Sequence, residues 1–177
     1  MFNLERFVED CCTAVRQEPG QRAVTEVMDR ALHDPSAVAS ALGEPMQSGL
    51  VPIYKSTDLT IVNVVWKPSM VLQPHNHEMW AVIGIYGGRE DNIFWRRVKD
   101  ASDGLIEAAG AKALSTGDCT PLGKDVIHSV INPIPRLTGA IHVYGGDFFE
   151  MERSEWDAEN LSEQPFDMAA VKAMFAD

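Results

Sequence analysis

Met79-Trp80-Ala81-Val82-Ile83-Gly84-Ile85-Tyr86-Gly87-Gly88 is the run on which the fold turns. Its apolar part, Met79 to Tyr86, is less than half the roughly 20 residues that a bilayer-spanning helix needs. It is the right length for a buried strand, and the glycine pair punctuates its end. The same texture extends to both sides. Val51–Tyr54, Leu59–Trp66, Asn92–Val98, Ala111–Leu114, Asp125–Ile131 and Leu137–Tyr144 are short runs rich in Val, Ile, Tyr and Trp. Gly117-Asp118 and Asn132-Pro133 supply turns between them. Short strands separated by glycine and proline point to an all-β sandwich or barrel.

The chain ahead of Gly49 has another period. Leu4, Phe7, Val8, Cys11, Cys12 and Val15 form one stripe of a 3.6-residue helix, which Pro19-Gly20 ends. Val24, Val27, Met28, Ala31 and Leu32 form a second stripe. Asp34-Pro35 predicts an N-cap with proline at the first helical position, opening a short helix that stops near Gly43. Met168 to Phe175 predicts a C-terminal helix. The expected organisation is a helical preface, 1–48, packed on a barrel with its C-terminal helix, 49–177, in one structural domain.

Composition narrows the partners. The 177 residues carry 15 basic and 26 acidic side chains, a net charge of −11. That balance disfavours nucleic acid and anionic membranes as partners, since both are bound through cationic surface. The N-terminus has no basic region followed by a long apolar core. Three cysteines, two of them adjacent at 11 and 12, make no disulfide framework. The expected location is the cytoplasm. The sequence does not set the oligomeric state.

Five histidines lie at 33, 75, 77, 128 and 142. His33, in the helical preface, reads as a surface residue. His75 and His77, in Pro74-His75-Asn76-His77, would share one face of a regular strand and so could coordinate one metal together. His128 follows within Gly117-Asp118, Leu122-Gly123, Asp125-Val126-Ile127-His128 and Asn132-Pro133.

His-x-His, then Gly-Asp, then Leu-Gly-x-Asp-x-x-His and Asn-Pro resemble the two metal-binding motifs of the cupin superfamily, in order, over roughly residues 51–149. The resemblance implies a mainly β fold: a single cupin barrel (double-stranded β-helix, jelly roll) with helices before it and a short one after. Many cupins place a glutamate ligand four or five residues past the second histidine. Here those positions are Ala81 and Val82, and Glu78 would point away on a regular strand. The implied ligand set is therefore three imidazoles, His75, His77 and His128, holding Fe(2+). That differs from the 2-His-1-carboxylate triad of other non-haem iron oxygenases.

A three-histidine cupin resembles the thiol dioxygenases, the cysteine dioxygenase family. Ile141-His142-Val143-Tyr144 is similar to the family's His-x-Tyr pair beside the iron. The resemblance implies that the Tyr144 hydroxyl hydrogen-bonds dioxygen or substrate while His142 orients it. A serine precedes that pair in the family. Ala140 stands there in this chain, so the outermost member of the relay is missing. The mammalian-type enzymes also carry a cysteine, crosslinked to the tyrosine, where this chain has Val82. Cys119 reads as structural. These departures, with the stretch Met79 to Asn92, resemble the bacterial 3-mercaptopropionate branch.

A thiol acid needs a cation for its carboxylate, and arginine's planar fork suits that task. Arg153 holds the place of the arginine that the mercaptopropionate-type relatives use. Arg89, Arg96 and Arg97 are rivals, the last two able to pack on Trp95 as a barrel exterior. The mammalian-type arginine has no counterpart in Tyr54-Lys55-Ser56. The expected function is a non-haem Fe(II) dioxygenase converting a small thiol carboxylic acid and O₂ to a sulfinic acid. Two alternatives remain: another metal-dependent cupin enzyme, acting on carbon as a dioxygenase or lyase, and a non-catalytic metal-binding sensor cupin.

Overall fold

The computed structural model describes residues 2–101 and 104–176. Three helices lead the chain: α1 (Leu4–Gln17), α2 (Gln21–Ala31) and α3 (Pro35–Leu42). Side-chain caps set two of their starts. Asn3 accepts from the Arg6 N–H and Asp34 from the Ala37 N–H, with Pro35 in the first turn. The apolar stripes are the buried faces: Phe7, Cys11 and Ala14 on α1, and Val24, Val27 and Met28 on α2.

Among the described residues eleven strands follow. β1 (Gly49–Lys55), β2 (Thr60–Trp66), β4 (Ala81–Gly87), β7 (Cys119–Leu122) and β9 (Thr138–Tyr144) build one sheet in the order β1-β2-β9-β4-β7. The other contains β3 (Val71–His75), β5 (Arg89–Arg97), β6 (Ile106–Ser115), β8 (Ile127–Ile131), β10 (Ser154–Trp156) and β11 (Glu163–Pro165), ordered β11-β10-β3-β8-β5-β6. Helix α4 (Met168–Ala176) closes the chain. Within these sheets β2-β9-β4-β7 stands against β3-β8-β5-β6. From β2 onward the chain changes sheet at every step except the β5–β6 hairpin and returns at β9 beside β2. That is a double Greek key, the eight-stranded jelly roll of cupins. β1 extends one sheet; β10 and β11 extend the other.

The strands β2, β4 and β9 are buried on both faces, which explains the unbroken apolar run at 79–86. Ala81, Ile83 and Ile85 face the barrel interior with Val62, Val64, Ala140 and Tyr144. Val82 and Tyr86 face the helices with Ile61, Ile141 and Val143. A strand covered on both sides loses its polar alternation. The helices sit close: a Cβ at Gly84 would stand 2.5 Å from Met28 Sδ and 2.8 Å from Leu32 Cδ1. Gly84→Val should therefore cost about 1–3 kcal/mol by overpacking. A urea titration checks this, and an unchanged midpoint would mean that α2 seats loosely.

Prolines hide two strands from a sequence reading. Pro74 lies in β3, whose pairing with β8 is irregular between Leu72 and His75. Pro121 lies in β7, an edge strand. Bulges and edges are the places where a sheet tolerates a missing N–H. Cys11, Cys12 and Cys119 are free thiols. Cys119 Sγ donates to Asp29 Oδ1 at 3.0 Å, tying β7 to α2, and burial pushes the thiol up to about 12. Among the described residues no helix is long and apolar enough to cross a membrane.

Candidate metal centre

Two adjacent strands of one sheet bring the three histidines together. His75 ends β3 and is the Cα partner of His128 on β8. His77 does not share a strand face with His75, contrary to the regular-strand expectation. β3 stops at His75, and the backbone turns through Asn76 and His77 to Glu78, which sits at φ 54°. Asn76 braces the turn: its Nδ2 donates to Glu78 Oε1 at 2.7 Å, and its Oδ1 accepts from the Ser154 N–H at 2.8 Å. Turned this way, the side chains of His75, His77 and His128 each place a ligand nitrogen within 4.8 Å of the others. All three are buried. His33 is exposed, as expected.

The donor set fits a divalent first-row cation. His75 Nδ1–H donates to the Gln73 carbonyl at 2.9 Å and His128 Nδ1–H to Asn92 Oδ1 at 2.7 Å, leaving each Nε2 lone pair free. His128 Nε2 and His77 Nε2 stand 3.3 Å apart. Two nitrogens at about 2.1 Å from one ion are separated by roughly 3.0–3.4 Å in octahedral or tetrahedral arrangements. The rings are neutral, as ligands must be. Burial pulls His75 down to about 4 and holds His77 and His128 well below the usual imidazole range. Ala81 faces inward without a donor, and Val82 faces the helices.

Tyr144 and His142, two residues apart on β9, line the same cavity as the three histidines. The Tyr144 ring meets the His77 ring edge-on, with centroids 5.1 Å apart. Its hydroxyl lies 3.0 Å from His142 Nδ1. Burial pushes the phenol above its ordinary range, so it stays protonated at neutral pH. The outer partner of His142 is present after all, but not at position 140. Glu90 on β5 places Oε2 at 3.3 Å from His142 Nε2. No motif marked Glu90. Glu90 and Asn92 are buried while Arg89 and Asp91, which alternate with them, turn outward, a pattern visible only once β5 is placed in its sheet.

Arg153 is buried at 8% exposure, not part of a surface salt bridge. Its guanidinium is held between two aromatic rings, with Cζ 4.4 Å from the Phe148 centroid and 4.1 Å from that of Phe166. Both phenylalanines line the histidine cavity. Nη1 donates to the Phe148 carbonyl at 2.6 Å. Nε and Nη2 are buried and have no hydrogen-bond partner among the described residues. Burial lowers the group to about 10, so it remains a cation at neutral pH. The rivals are committed elsewhere: Arg89 to Asp91, Arg96 to Glu107 and Arg97 to Glu163, all as exposed pairs. Arg97 packs over Trp156 at 5.1 Å, whereas Trp95 donates to Ser129 Oγ.

The cavity itself holds about 20 Å³, closed on one side by Val171 and Phe175 of α4. No carboxylate lines it. Arg153 does not line the cavity itself but a wide outer pocket of about 1020 Å³, which shares Phe166 with it.

No family model matches the chain. Among solved structures it is similar to an RmlC-like cupin with a double-stranded β-helix from Methanocaldococcus jannaschii: TM-score 0.48, 9% identity, 60% of this chain and 87% of that one. It is also similar to KdgF from Halomonas sp.: TM-score 0.44, 16% identity, 58% and 82% covered. A third is peruvianin-I, a cysteine peptidase from Thevetia peruviana latex, at TM-score 0.41 and 15% identity. The match covers 62% of this chain and 56% of peruvianin-I, so the chain spans just over half that protein's length. The strand order makes this an eight-stranded jelly roll, and the three converging imidazoles inside it form a candidate metal site.

Proposed function

We propose that the protein is an iron(II)-dependent thiol dioxygenase whose substrate is a small thiol carboxylic acid. The observation that carries this reading is the make-up of one cavity: four imidazoles, three of them converging as a candidate metal site, a tyrosine hydroxyl and no carboxylate, with a buried guanidinium behind its Phe148 wall. Ferrous iron held by His75, His77 and His128 would supply the site at which thiol and O₂ combine. The balance is RSH + O₂ → RSO₂H, with no external reductant.

The chain's own groups have three tasks. Arg153 offers two idle N–H bearing nitrogens to the carboxylate. Tyr144 and His142 form a proton path. The substrate S–H gives its proton to the Tyr144 oxygen as the Tyr144 O–H proton moves to His142 Nδ1, and Glu90 faces the imidazolium that results. The apolar remainder of the wall, Leu50, Val64, Leu72, Val130 and Val171, excludes water.

Oxygen-electrode assays of the iron-reconstituted protein with 3-mercaptopropionate, cysteine, mercaptosuccinate and cysteamine test the proposal. Oxygen uptake matched by sulfinate is expected with the thiol acids. Full metal loading without uptake on any of the four would defeat it in favour of a carbon-acting cupin or a sensor. Tyr144→Phe should keep metal loading and lose about tenfold to a hundredfold in turnover, as removal of an outer hydrogen-bond partner does. An unaltered rate would assign Tyr144 to packing. Because His142 already has Glu90, Ala140→Ser should add nothing to the rate.

A further inference from the structure

Glu90 is 0% exposed, against a barrel interior packed mainly with apolar side chains. A carboxylate there is costly unless every lone pair it turns inward finds a donor. Three donors converge on it. Trp66 Nε1–H donates to Oε2 at 2.8 Å, His142 Nε2 lies 3.3 Å from the same oxygen, and Asn92 Nδ2–H donates to Oε1 at 3.0 Å. An apolar side chain would fill the same space at lower cost. The three partners explain why an acid stands there.

A carboxylate only accepts, and that one-way chemistry propagates along two branches. On the first, Asn92 must turn its NH₂ toward Glu90, so its Oδ1 faces the other way. Oδ1 lies 2.7 Å from His128 Nδ1 and therefore requires a proton on that nitrogen. His128 Nε2 is left as a bare lone pair aimed toward His77 Nε2. On the second branch, Glu90 Oε2 requires a proton on His142 Nε2. His142 Nδ1 is then the acceptor for the Tyr144 hydroxyl. One acid thus selects opposite tautomers on two rings 14 residues apart, on β8 and β9 in the two facing sheets of the barrel.

We propose that Glu90 is the positioning residue of the site, fixing the proton on Nδ1 of His128 through Asn92 and the proton on Nε2 of His142 directly. The inference rests on the metal-site reading for its purpose, and its test is independent of thiol turnover. Trp66, a donor without acceptor capacity, holds the carboxylate in the orientation that serves both branches.

The experiment uses the full-length, metal-free protein labelled with ¹⁵N-histidine. Long-range ¹H–¹⁵N correlation spectra read which ring nitrogen carries the proton. His128 is expected as the Nδ1–H tautomer and His142 with its proton on Nε2. The reverse assignment on either ring overturns the proposal, whatever any variant does. Glu90→Gln is isosteric but presents an NH₂ group to one branch, setting donor against donor. It should scramble at least one tautomer and lower Co²⁺ or Zn²⁺ affinity about tenfold to a hundredfold, with the far-UV circular dichroism unchanged. Glu90→Gln combined with Asn92→Asp exchanges amide and acid. It restores an acceptor opposite His128 Nδ1 and an acceptor opposite His142 Nε2, and should recover most of the lost affinity. Wild-type affinity and ring spectra in Glu90→Gln would overturn the proposal, as would a double variant no better than the single one. A wild-type protein that oxidises none of the four thiols would sink the dioxygenase reading and leave this one standing.

Discussion

His128→Ala should leave a folded barrel that no longer retains its metal. His128 is buried, projects from a central strand, and is the ligand whose Nε2 comes to 3.3 Å from that of His77. A three-imidazole site has no fourth protein ligand to share the loss. Removing a partner behind a ligand already costs about 10–100-fold in affinity, so removing the ligand itself should exceed that. Elemental analysis after dialysis of the reconstituted protein measures it. Iron equal to wild type would refute the three-histidine assignment. His33→Ala is the matched control, since His33 is exposed and its Nδ1 donates to the Asp29 carbonyl at 2.8 Å, far from the candidate site.

Most of the barrel could be read from the sequence because burial leaves a composition signal. The strands β2, β4 and β9, covered on both faces, appear as largely apolar runs, and the helices α1 and α2 appear as single stripes. What escaped was short or interrupted by proline. β7 and β10 have four and three residues, and β3 carries Pro74 at its irregular pairing. A short strand has too few alternations to register a period.

The candidate site was legible in its three histidines and obscure in what supports them. His75, His77 and His128 carry chemistry in their side-chain type, so spacing alone brought them forward. The turn that aims His77 depends on Asn76 and on the left-handed Glu78, features of backbone geometry with no compositional mark. Glu90 sits in Arg89-Glu90-Asp91-Asn92, which in one dimension is a solvated charge run. Only pairing β5 against β8 shows that two of those four residues enter the barrel beside His128. Arginine 153 differs from its rivals by burial, and burial of a cation cannot be read from its neighbours in sequence. What marks Arg153 in the structure is a pair of nitrogens with nothing to bind.

Arg153→Ala should lower kcat/KM for 3-mercaptopropionate at least tenfold and leave cysteamine nearly unaffected. Leaving a charged donor buried without a partner costs more than the about 1–3 kcal/mol of a neutral group, so Nε and Nη2 are the atoms in the outer wall with most to gain from an anion. The flanking Phe148 and Phe166 rings and the Phe148 carbonyl hold the fork in place before a ligand arrives, which reduces the ordering cost on binding. Breaking an enclosed arginine–carboxylate pair costs about 2–5 kcal/mol, more than one decade at about 1.4 kcal/mol per decade. Charge alone does not satisfy the site: Arg153→Lys keeps the cation but loses the second, parallel donor, so it should recover only part of the loss. A general packing defect would lower the rates for both thiols together, whereas an anchor lowers only that of the acid. Equal losses with 3-mercaptopropionate and cysteamine would therefore reject the anchor. Undiminished turnover of the acid would reject any part for Arg153 in binding it, and cysteamine outrunning every thiol acid on the unaltered protein would reject the carboxylate itself.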